Sequence, residues 1–183
     1  MYCGCNKTAL TSQRQIAKTL LSLMEQKPFD QISVCELCRS ADISRQTFYS
    51  LFSSRENVLI FILQEQYCFV PEQSARQEHF SGTACGLHTL CRCYSRYIFH
   101  NRDFLQMLVK NHIDYLLYDS VYASLMDCDA FLAKTEACTR AYAASFYAGG
   151  VSSVARCYAG DGCTSSEKDL EEMLYLFISG GLF

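Results

Sequence analysis

One short stretch carries five polar side chains that can hydrogen-bond to nucleic acid. They are Arg45, Gln46, Thr47, Tyr49 and Ser50. An arginine fork fits the two acceptors of guanine, a glutamine amide fits adenine, and hydroxyl groups suit phosphates or base edges. This composition indicates a helix that lies in a DNA major groove. We expect Arg45 and Gln46 to read bases with help from Thr47 and Ser50, and Tyr49 to bind a phosphate.

Three closely spaced helix starts surround these residues. Ser33 with Glu36, and Ser53 with Glu56, have the spacing of capping boxes, in which a hydroxyl and a carboxylate each accept from a backbone N–H. Ser44 is placed to cap the helix between them. The pattern therefore predicts two short helices and the beginning of a third.

The turn between the first two helices, residues 41–43, has the length found in helix-turn-helix motifs. Phe48 and Phe52 are four residues apart and so face inward together, which turns the polar set outward. The second helix is therefore expected to read DNA. Ser33 and Arg55 are further expected phosphate ligands, the latter at a helix N-terminus that already favours anions.

Each of these roles has a purely structural alternative. Ser33 and Ser44 are both predicted to contact DNA, and the alternative is that they only cap helices. Tyr49 has the alternative of a ring that packs with only its hydroxyl in water.

An amphipathic helix precedes P-F-D-Q-I-S-V-C-E-L and then A-D-I-S-R-Q-T-F-Y-S-L-F-S-S-R-E-N-V-L. With these motifs, residues 13–62 resemble the N-terminal DNA-binding domain of the TetR family of transcriptional regulators. The chain departs from the family at Asp42, where glycine is usual. That position often needs a positive φ, which Asp tolerates better than most residues.

Composition favours a packed, mostly helical protein. The 183 residues are half apolar and include two prolines and nine glycines. The net charge is −3, but residues 1–60 carry seven basic and five acidic side chains, so the positive charge lies on the predicted reading domain. The apolar runs are too short to span a membrane and the N-terminus does not resemble a signal peptide. We expect a cytoplasmic protein with no membrane attachment.

Twelve cysteines are unusual for such a chain. Without an export signal, reduced thiols are expected, and burial as small hydrophobic groups explains most of them. Cys35 and Cys38 lie three residues apart, whereas Cys91 and Cys93 would point about 200° apart on a helix, which disfavours a shared metal. We predict no metal and no cofactor. A redox- or metal-responsive regulator that signals through cysteines is the alternative.

We divide the chain into a flexible arm at 1–11, a three-helix helix-turn-helix domain at 12–56 and a larger helical bundle at 57–183. The prediction is an all-α protein, with one long helix from Phe131 to Tyr158. The segment F-Y-A-G-G-V-S-S-V-A-R-C-Y-A-G-D-G-C-T-S-S-E-K-D-L resembles the C-terminal region of some TetR-like regulators. This resemblance implies a homodimer in which the last two helices of each subunit form a four-helix bundle. The implied interface residues are Gly149, Gly150, Ser153, Val154, Leu170, Met173, Leu174 and Phe177.

The family resemblance also implies a small apolar ligand in the larger domain. The residues expected to line its pocket are Tyr94, Tyr97, Phe104, Ile113, Leu117, Tyr142 and Phe146. The implied function is a sequence-specific, homodimeric repressor that leaves a near-palindromic double-stranded DNA operator when the ligand binds; control by a protein partner is an alternative. An enzyme is not expected, because the chain has no catalytic triad, phosphate-binding glycine loop or H-E-x-x-H motif.

Overall fold

The computed structural model describes residues 7–65, 86–128, 131–132 and 135–180. Within those ranges the protein is all-helical, as predicted, with nine α-helices, one 3-10 turn and no strand. The chain forms two compact units, Met1–Gln66 and Tyr67–Phe183. No helix among the described residues is long and apolar enough to cross a membrane.

The first unit contains four α-helices. They are α1 (Lys7–Gln26), α2 (Val34–Ser40), α3 (Arg45–Leu51) and α4 (Arg55–Glu65), with the 3-10 turn at Phe29–Gln31. Helix α1 begins five residues before Ser12, so the predicted arm at 1–11 is wrong from residue 7 onward, and residues 1–6 lie outside the described part. The sequence K-T-A-L-T has no glycine or proline to stop the helix from extending.

The core of the first unit lies between α1 and the three helices that follow. Ile16 and Leu20 of α1 are fully buried, as are Leu37 of α2 and Leu59 and Ile62 of α4. Helix α1 packs on both α2 and α4. Because α4 buries one side in this core, it belongs to the helix-turn-helix unit, beyond the predicted boundary at residue 56.

The cap of α4 differs from the predicted Ser53–Glu56 box. The backbone N–H of Asn57 donates to Ser54 Oγ at 3.3 Å, and both Ser53 and Ser54 hydroxyls donate to the Asn57 amide oxygen. The hydroxyl one residue later in the chain therefore caps this helix.

The second unit contains five α-helices among the described residues. They are α5 (Leu87–His100), α6 (Arg102–Lys110), α7 (Leu116–Asp127), α8 (Ala137–Gly160) and α9 (Glu167–Ser179). The predicted long helix from Phe131 is wrong at its start, since α8 begins at Ala137. Leu132 has a φ of 48°, which an α-helix does not allow, so residues 131–132 form a turn.

Arg140 stabilises this turn. Its guanidinium donates to the carbonyl oxygens of Met126 at 2.8 Å, Cys128 at 2.7 Å and Phe131 at 3.0 Å. These acceptors lie at the end of α7 and just after it, where carbonyls have no helical partner. One side chain of α8 thus satisfies the backbone of the α7–α8 connection.

Helix α8 packs on α6 and α7 through small residues. Ala144, Ala148 and Ala155 are almost fully buried on that face. Tyr142 and Phe146 lie on another face and are 75% and 68% exposed. The prediction that these two aromatic rings point inward is therefore wrong, because Ala144 and Ala148 occupy the buried face at this level of α8.

Helix α9 packs mainly on α5. Leu170 and Leu174, predicted at the subunit interface, are each 1% exposed and are buried inside the protomer. That part of the interface prediction is wrong, since side chains already used in a core cannot cover a second subunit. Phe177 is 47% exposed and remains available on the outer side of α9.

Candidate nucleic-acid interface

Helix α3 is held at its N-terminus by Ser44, as predicted. The Ser44 hydroxyl accepts from the backbone N–H of Thr47 at 3.0 Å and lies 2.9 Å from the Thr47 hydroxyl. Ser33 caps α2 in the same way and accepts from the N–H of Glu36 at 3.1 Å. Both predicted caps are confirmed, and each typically stabilises its helix by about 1 kcal/mol.

The turn that joins α2 to α3 has an aspartate where φ is positive. Asp42 has a φ of 52°, as its place in the motif predicted. Its N–H donates to the Arg39 carbonyl at 3.2 Å, and the N–H of Ile43 donates to the Cys38 carbonyl at 3.0 Å. This pair of hydrogen bonds is the Schellman arrangement that closes a helix C-terminus.

A residue of α1 also fixes this turn. The Gln15 side-chain amide donates to the carbonyl oxygen of Ala41 at 2.6 Å. The spacing of Ser12 and Gln15 predicts a capping box instead, which is wrong because both residues lie inside α1. The actual partner of Gln15 is 26 residues away, where no local spacing reveals it. The contact fixes the turn that sets the position of α3.

One face of α3 is apolar and buried, and the opposite face is polar and exposed. Phe48 is fully buried, and Leu51 and the following Phe52 are 6% and 1% exposed. The Phe48 ring packs edge-on against Tyr49 at a centroid distance of 5.4 Å and lies 6.0 Å from Phe52. These apolar contacts fix the rotation of α3 about its own axis.

The outer face of α3 is exposed along the predicted reading residues. Tyr49 is 58% exposed, so its ring is only partly packed on Phe48. The other exposed members of the predicted set are Ser33, Ser44, Arg45, Gln46, Thr47 and Ser50. The fold therefore brings the predicted reading side chains together on one helix in contact with solvent.

Arg55 does not join this surface. Its guanidinium donates to the carbonyl oxygen of Phe29 at 2.9 Å and, through a shorter hydrogen bond, to that of Ile32. These carbonyls lie in the connection between α1 and α2, and that of Phe29 also accepts from the Ile32 N–H at 3.1 Å. The phosphate-binding role of Arg55 stays a prediction; in the free protein its guanidinium bonds to backbone carbonyls of its own unit.

Cys35 lies next to the predicted base-reading arginine. Its side chain is exposed, and hydrogen bonding from the Arg45 guanidinium, followed by its positive charge, lowers the pKa of the thiol. The same contact raises the pKa of Arg45. Cys38 is buried, which raises the pKa of that thiol instead. Sequence reasoning noted the C-x-x-C spacing but not the contact with Arg45.

An ion pair connects α2 to the residue that follows α1. The Lys27 ammonium contacts the Glu36 carboxylate, and their hydrogen bond holds the pKa of Glu36 below its usual value. Glu36 therefore has two contacts: its carboxylate pairs with Lys27, and its backbone N–H donates to the Ser33 hydroxyl.

The residues expected to line a ligand pocket lie in different environments. Tyr94, Phe104 and Leu117 are buried, as is Ile113, whereas Tyr97 is half-buried. Tyr142 and Phe146 point to solvent, as described above. The buried members are part of the core of the second unit. Among the residues that the structure describes, no group of three or more His, Cys, Asp or Glu could hold a metal ion.

Comparison with known proteins points to transcriptional regulators. Over 61 residues the chain is 36% identical to the HTH-type dhaKLM operon transcriptional activator DhaS of Lactococcus lactis subsp. lactis (strain IL1403). This match covers 33% of each protein, so the chain aligns with one third of the length of that relative. No protein-family model matches the chain.

The fold as a whole also has a solved counterpart. The structure of a dihydroxyacetone kinase operon activator DhaS superposes with a TM-score of 0.54 and 20% identity. The superposition covers 94% of this chain and 96% of that one. The likeness shows a shared fold. Both relatives are named as operon activators, and neither name describes an enzyme.

Proposed function

We propose that this protein is a homodimeric, sequence-specific DNA-binding transcriptional regulator that reads DNA with α3. The observation that carries the proposal is the row of exposed polar side chains on α3, from Arg45 to Ser50, opposite a face fixed in the core by Phe48. Donors and acceptors held on a rigid helix are what direct readout of base edges requires. The similarity to a helix-turn-helix activator over 61 residues supports it.

Within this surface we assign base contacts to Arg45 and Gln46. Thr47 and Ser50 assist, although their hydroxyls also have partners on α3: Thr47 contacts Ser44, and Ser50 donates to the Thr47 carbonyl at 2.7 Å. A hydroxyl that donates to the helix still accepts from other groups. The exposed Tyr49 hydroxyl is assigned to a phosphate.

We propose that two subunits pair through the outer faces of α8 and α9. Tyr142 and Phe146 of α8 and Phe177 of α9 expose large apolar side chains. Further along α8 lie Gly149 and Gly150, where an added methyl group would meet no neighbouring atom of the described residues within 4 Å. Glycines inside a helix cost about 1 kcal/mol each relative to alanine, so their presence fits a close approach by a helix of another chain.

Three other predicted interface residues are at least partly exposed to solvent. Ser153 is exposed, and Val154 and Met173 are half-buried. Leu176, which the sequence analysis did not single out, is 39% exposed beside Phe177. A dimer would give the two copies of α3 access to the two half-sites of a near-palindromic operator.

The direction of regulation and the signal are separate parts of the proposal. The TetR resemblance favours a repressor released by a small apolar ligand, whereas the relatives named above are activators. A reporter gene under the bound promoter, measured with and without the protein, distinguishes the two. Expression that falls in the presence of the protein supports repression, and expression that rises supports activation.

The experiment that tests the proposal is binding of the purified protein to duplex DNA from immediately upstream of its own gene. Fluorescence anisotropy would be measured against a random duplex of equal length over a range of salt concentrations. We expect tighter binding to the upstream duplex, two protein chains per site and a steep loss of affinity with salt. If the upstream and random duplexes bind equally, the same assay on a pool of genomic fragments decides whether a preferred site exists. Absence of any preferred fragment would contradict sequence-specific binding.

A further inference from the structure

One hydrogen bond crosses from α1 to the turn that precedes the reading helix. The side-chain amide of Gln15 donates to the carbonyl oxygen of Ala41 at 2.6 Å, a short distance for an N–H···O bond. Ala41 is the C-cap residue of α2 and is 1% exposed, so solvent hardly reaches it. A buried carbonyl without a donor is unfavourable, and here a side chain of a different helix supplies the donor.

Gln15 is held at a fixed place in the first unit. Ile16, next to it, is fully buried, and Arg14, on its other side, pairs with Glu65 at the end of α4 at 2.8 Å. Helix α1 also packs on both α2 and α4. The amide therefore belongs to a helix that cannot rotate or slide without losing core contacts.

The turn that accepts this hydrogen bond contains a residue in an unfavourable backbone conformation. Asp42, which follows Ala41 directly, has a φ of 52°, in the left-handed region that favours glycine. Ser44, the cap of α3, comes just after the turn. Contacts from outside the turn are therefore needed to hold it, and any change in the turn is passed on to the beginning of α3.

The two ends of α3 are held in different ways. Phe48 and Leu51, further along the helix, are buried in the core. Arg45 and Gln46 are its first two residues and are exposed. A displaced turn would therefore move the end of α3 that carries the proposed base-reading side chains more than it moves the other end.

We propose that Gln15 is a positioning residue for DNA readout, whose hydrogen bond to Ala41 fixes the orientation in which Arg45 and Gln46 meet the bases. This role rests on the proposed function for its effect on DNA, whereas the effect on the turn is a property of the free protein. Gln15 itself contacts no base or phosphate in this arrangement. Its loss should therefore reduce discrimination between sequences and leave the phosphate contacts in place.

The first test needs no DNA. Amide hydrogen exchange is measured by NMR in the unaltered chain, in Gln15→Met and in Gln26→Met. Methionine has a similar length and helix propensity to glutamine but no N–H donor. Gln26→Met is the matched control, because Gln26 is the exposed last residue of the same helix.

We expect Gln15→Met to speed exchange several-fold at the N–H groups of Asp42 and Ile43, whose hydrogen bonds close α2. Exchange in the middle of α4 should stay the same, and Gln26→Met should change neither region. Unaltered exchange at the turn in Gln15→Met, or the same acceleration in Gln26→Met, would overturn the proposal.

The second test compares operator with random duplex by fluorescence anisotropy. Gln15→Met should weaken operator binding several-fold, and it should leave both the binding to random duplex and the slope of log affinity against log salt concentration unchanged. A purely structural defect lowers the concentration of folded protein and would weaken binding to both duplexes by the same factor. Equal losses on the two duplexes, or no loss on the operator, would overturn the positioning role.

A double-mutant cycle tests whether Gln15 acts through the first residue of α3. In the Arg45→Ala background, Gln15→Met should have a smaller effect on operator affinity, because one of the side chains that it positions is already absent. An equal effect in both backgrounds would overturn the action through Arg45.

The tests separate this role from the function on which it rests. If the unaltered chain prefers no DNA fragment, the proposed function fails, and the exchange rates still decide whether Gln15 fixes the turn. Thermal unfolding of each variant sets the temperature below which all of them are folded, and affinities are compared there. The fold should persist, because Gln15 and Gln26 are both exposed.

Discussion

The guanidinium carbon of Arg55 lies 4.8 Å from the centroid of the Phe29 ring, at the point where the connection between α1 and α2 meets the start of α4. The same guanidinium donates to three backbone carbonyls of that connection, those of Phe29, Asp30 and Ile32. One side chain of α4 thus contacts the α1–α2 connection, and it makes these contacts without involving α3. The guanidinium connects the start of α4 to the segment between α1 and α2.

Replacement of Arg55 by alanine should therefore lower the free energy of unfolding. The carbonyl oxygens of Phe29 and Ile32 would lose a charged donor, and such hydrogen bonds contribute roughly 1–3 kcal/mol. Urea unfolding of Arg55→Ala measures the loss. Arg14→Ala is the control, since it removes an ion pair with Glu65 whose arginine is 59% exposed and which should contribute under about 1 kcal/mol. A different result would assign Arg55 to a phosphate: the stability of Arg55→Ala would be unchanged, and the slope of log DNA affinity against log salt concentration would be smaller by about 1.

Arg45→Ala should reduce discrimination between operator and random DNA. Loss of a bidentate base contact costs roughly 1–3 kcal/mol on the specific site and much less on other sequences. Lys168→Ala is a charge-matched control, because it removes one exposed cation from α9. Binding curves for both duplexes at one salt concentration give the answer. Equal losses on operator and random DNA would show that Arg45 contacts only the phosphate backbone.

Local sequence signals predicted most features of α2 and α3. Ser44 and Ser33 cap the expected helices, because each cap depends on residues within about four positions. Phe48 was placed correctly for the same reason, since side chains four residues apart on a helix share a face. These features need no information about the rest of the fold. The positive φ of Asp42 was implied by the family resemblance.

The features that the sequence did not predict depend on contacts between distant parts of the chain. Arg55 finds its acceptors 23 and 26 residues away, which no spacing rule reveals. On α8 the periodicity of large aromatic rings selected Tyr142 and Phe146 as the inner face, whereas Ala144 and Ala148 occupy it. A helix that is apolar on several sides does not indicate which side meets the core, because close packing there uses small residues. The contact of Cys35 with Arg45 likewise requires α2 and α3 to be in place.

Burial of Cys91 should make stability depend on alkaline pH. Burial, with a smaller contribution from Glu171, raises the pKa of this thiol from 9.0 to about 11. The folded protein then binds a proton that the unfolded chain releases, so the stabilisation is complete below pH 9 and is lost as pH rises toward 11. Urea unfolding at several pH values should show this decline, and the decline should be smaller in Cys91→Val, where the thiol is replaced by an apolar group of similar size. The same slope in both proteins would mean that other buried groups account for it.

The exposed aromatic rings of α8 provide the sharpest test of the proposed subunit interface. Phe146 is 68% exposed, so Phe146→Asp should leave the protomer folded while placing a charge in the centre of the contact between subunits. An unpaired buried charge is strongly unfavourable, and we expect the variant to sediment as a monomer at concentrations where the unaltered chain is a dimer. Leu174→Ala is the contrasting variant. Leu174 is 1% exposed within its own protomer, so its truncation should lower the free energy of unfolding by about 2–5 kcal/mol. A Phe146→Asp variant that remains dimeric would move the interface away from this face of α8.

A DNA-binding assay on the monomeric variant then shows how much of the operator affinity comes from joining two reading helices, since a single copy of α3 engages only one half-site.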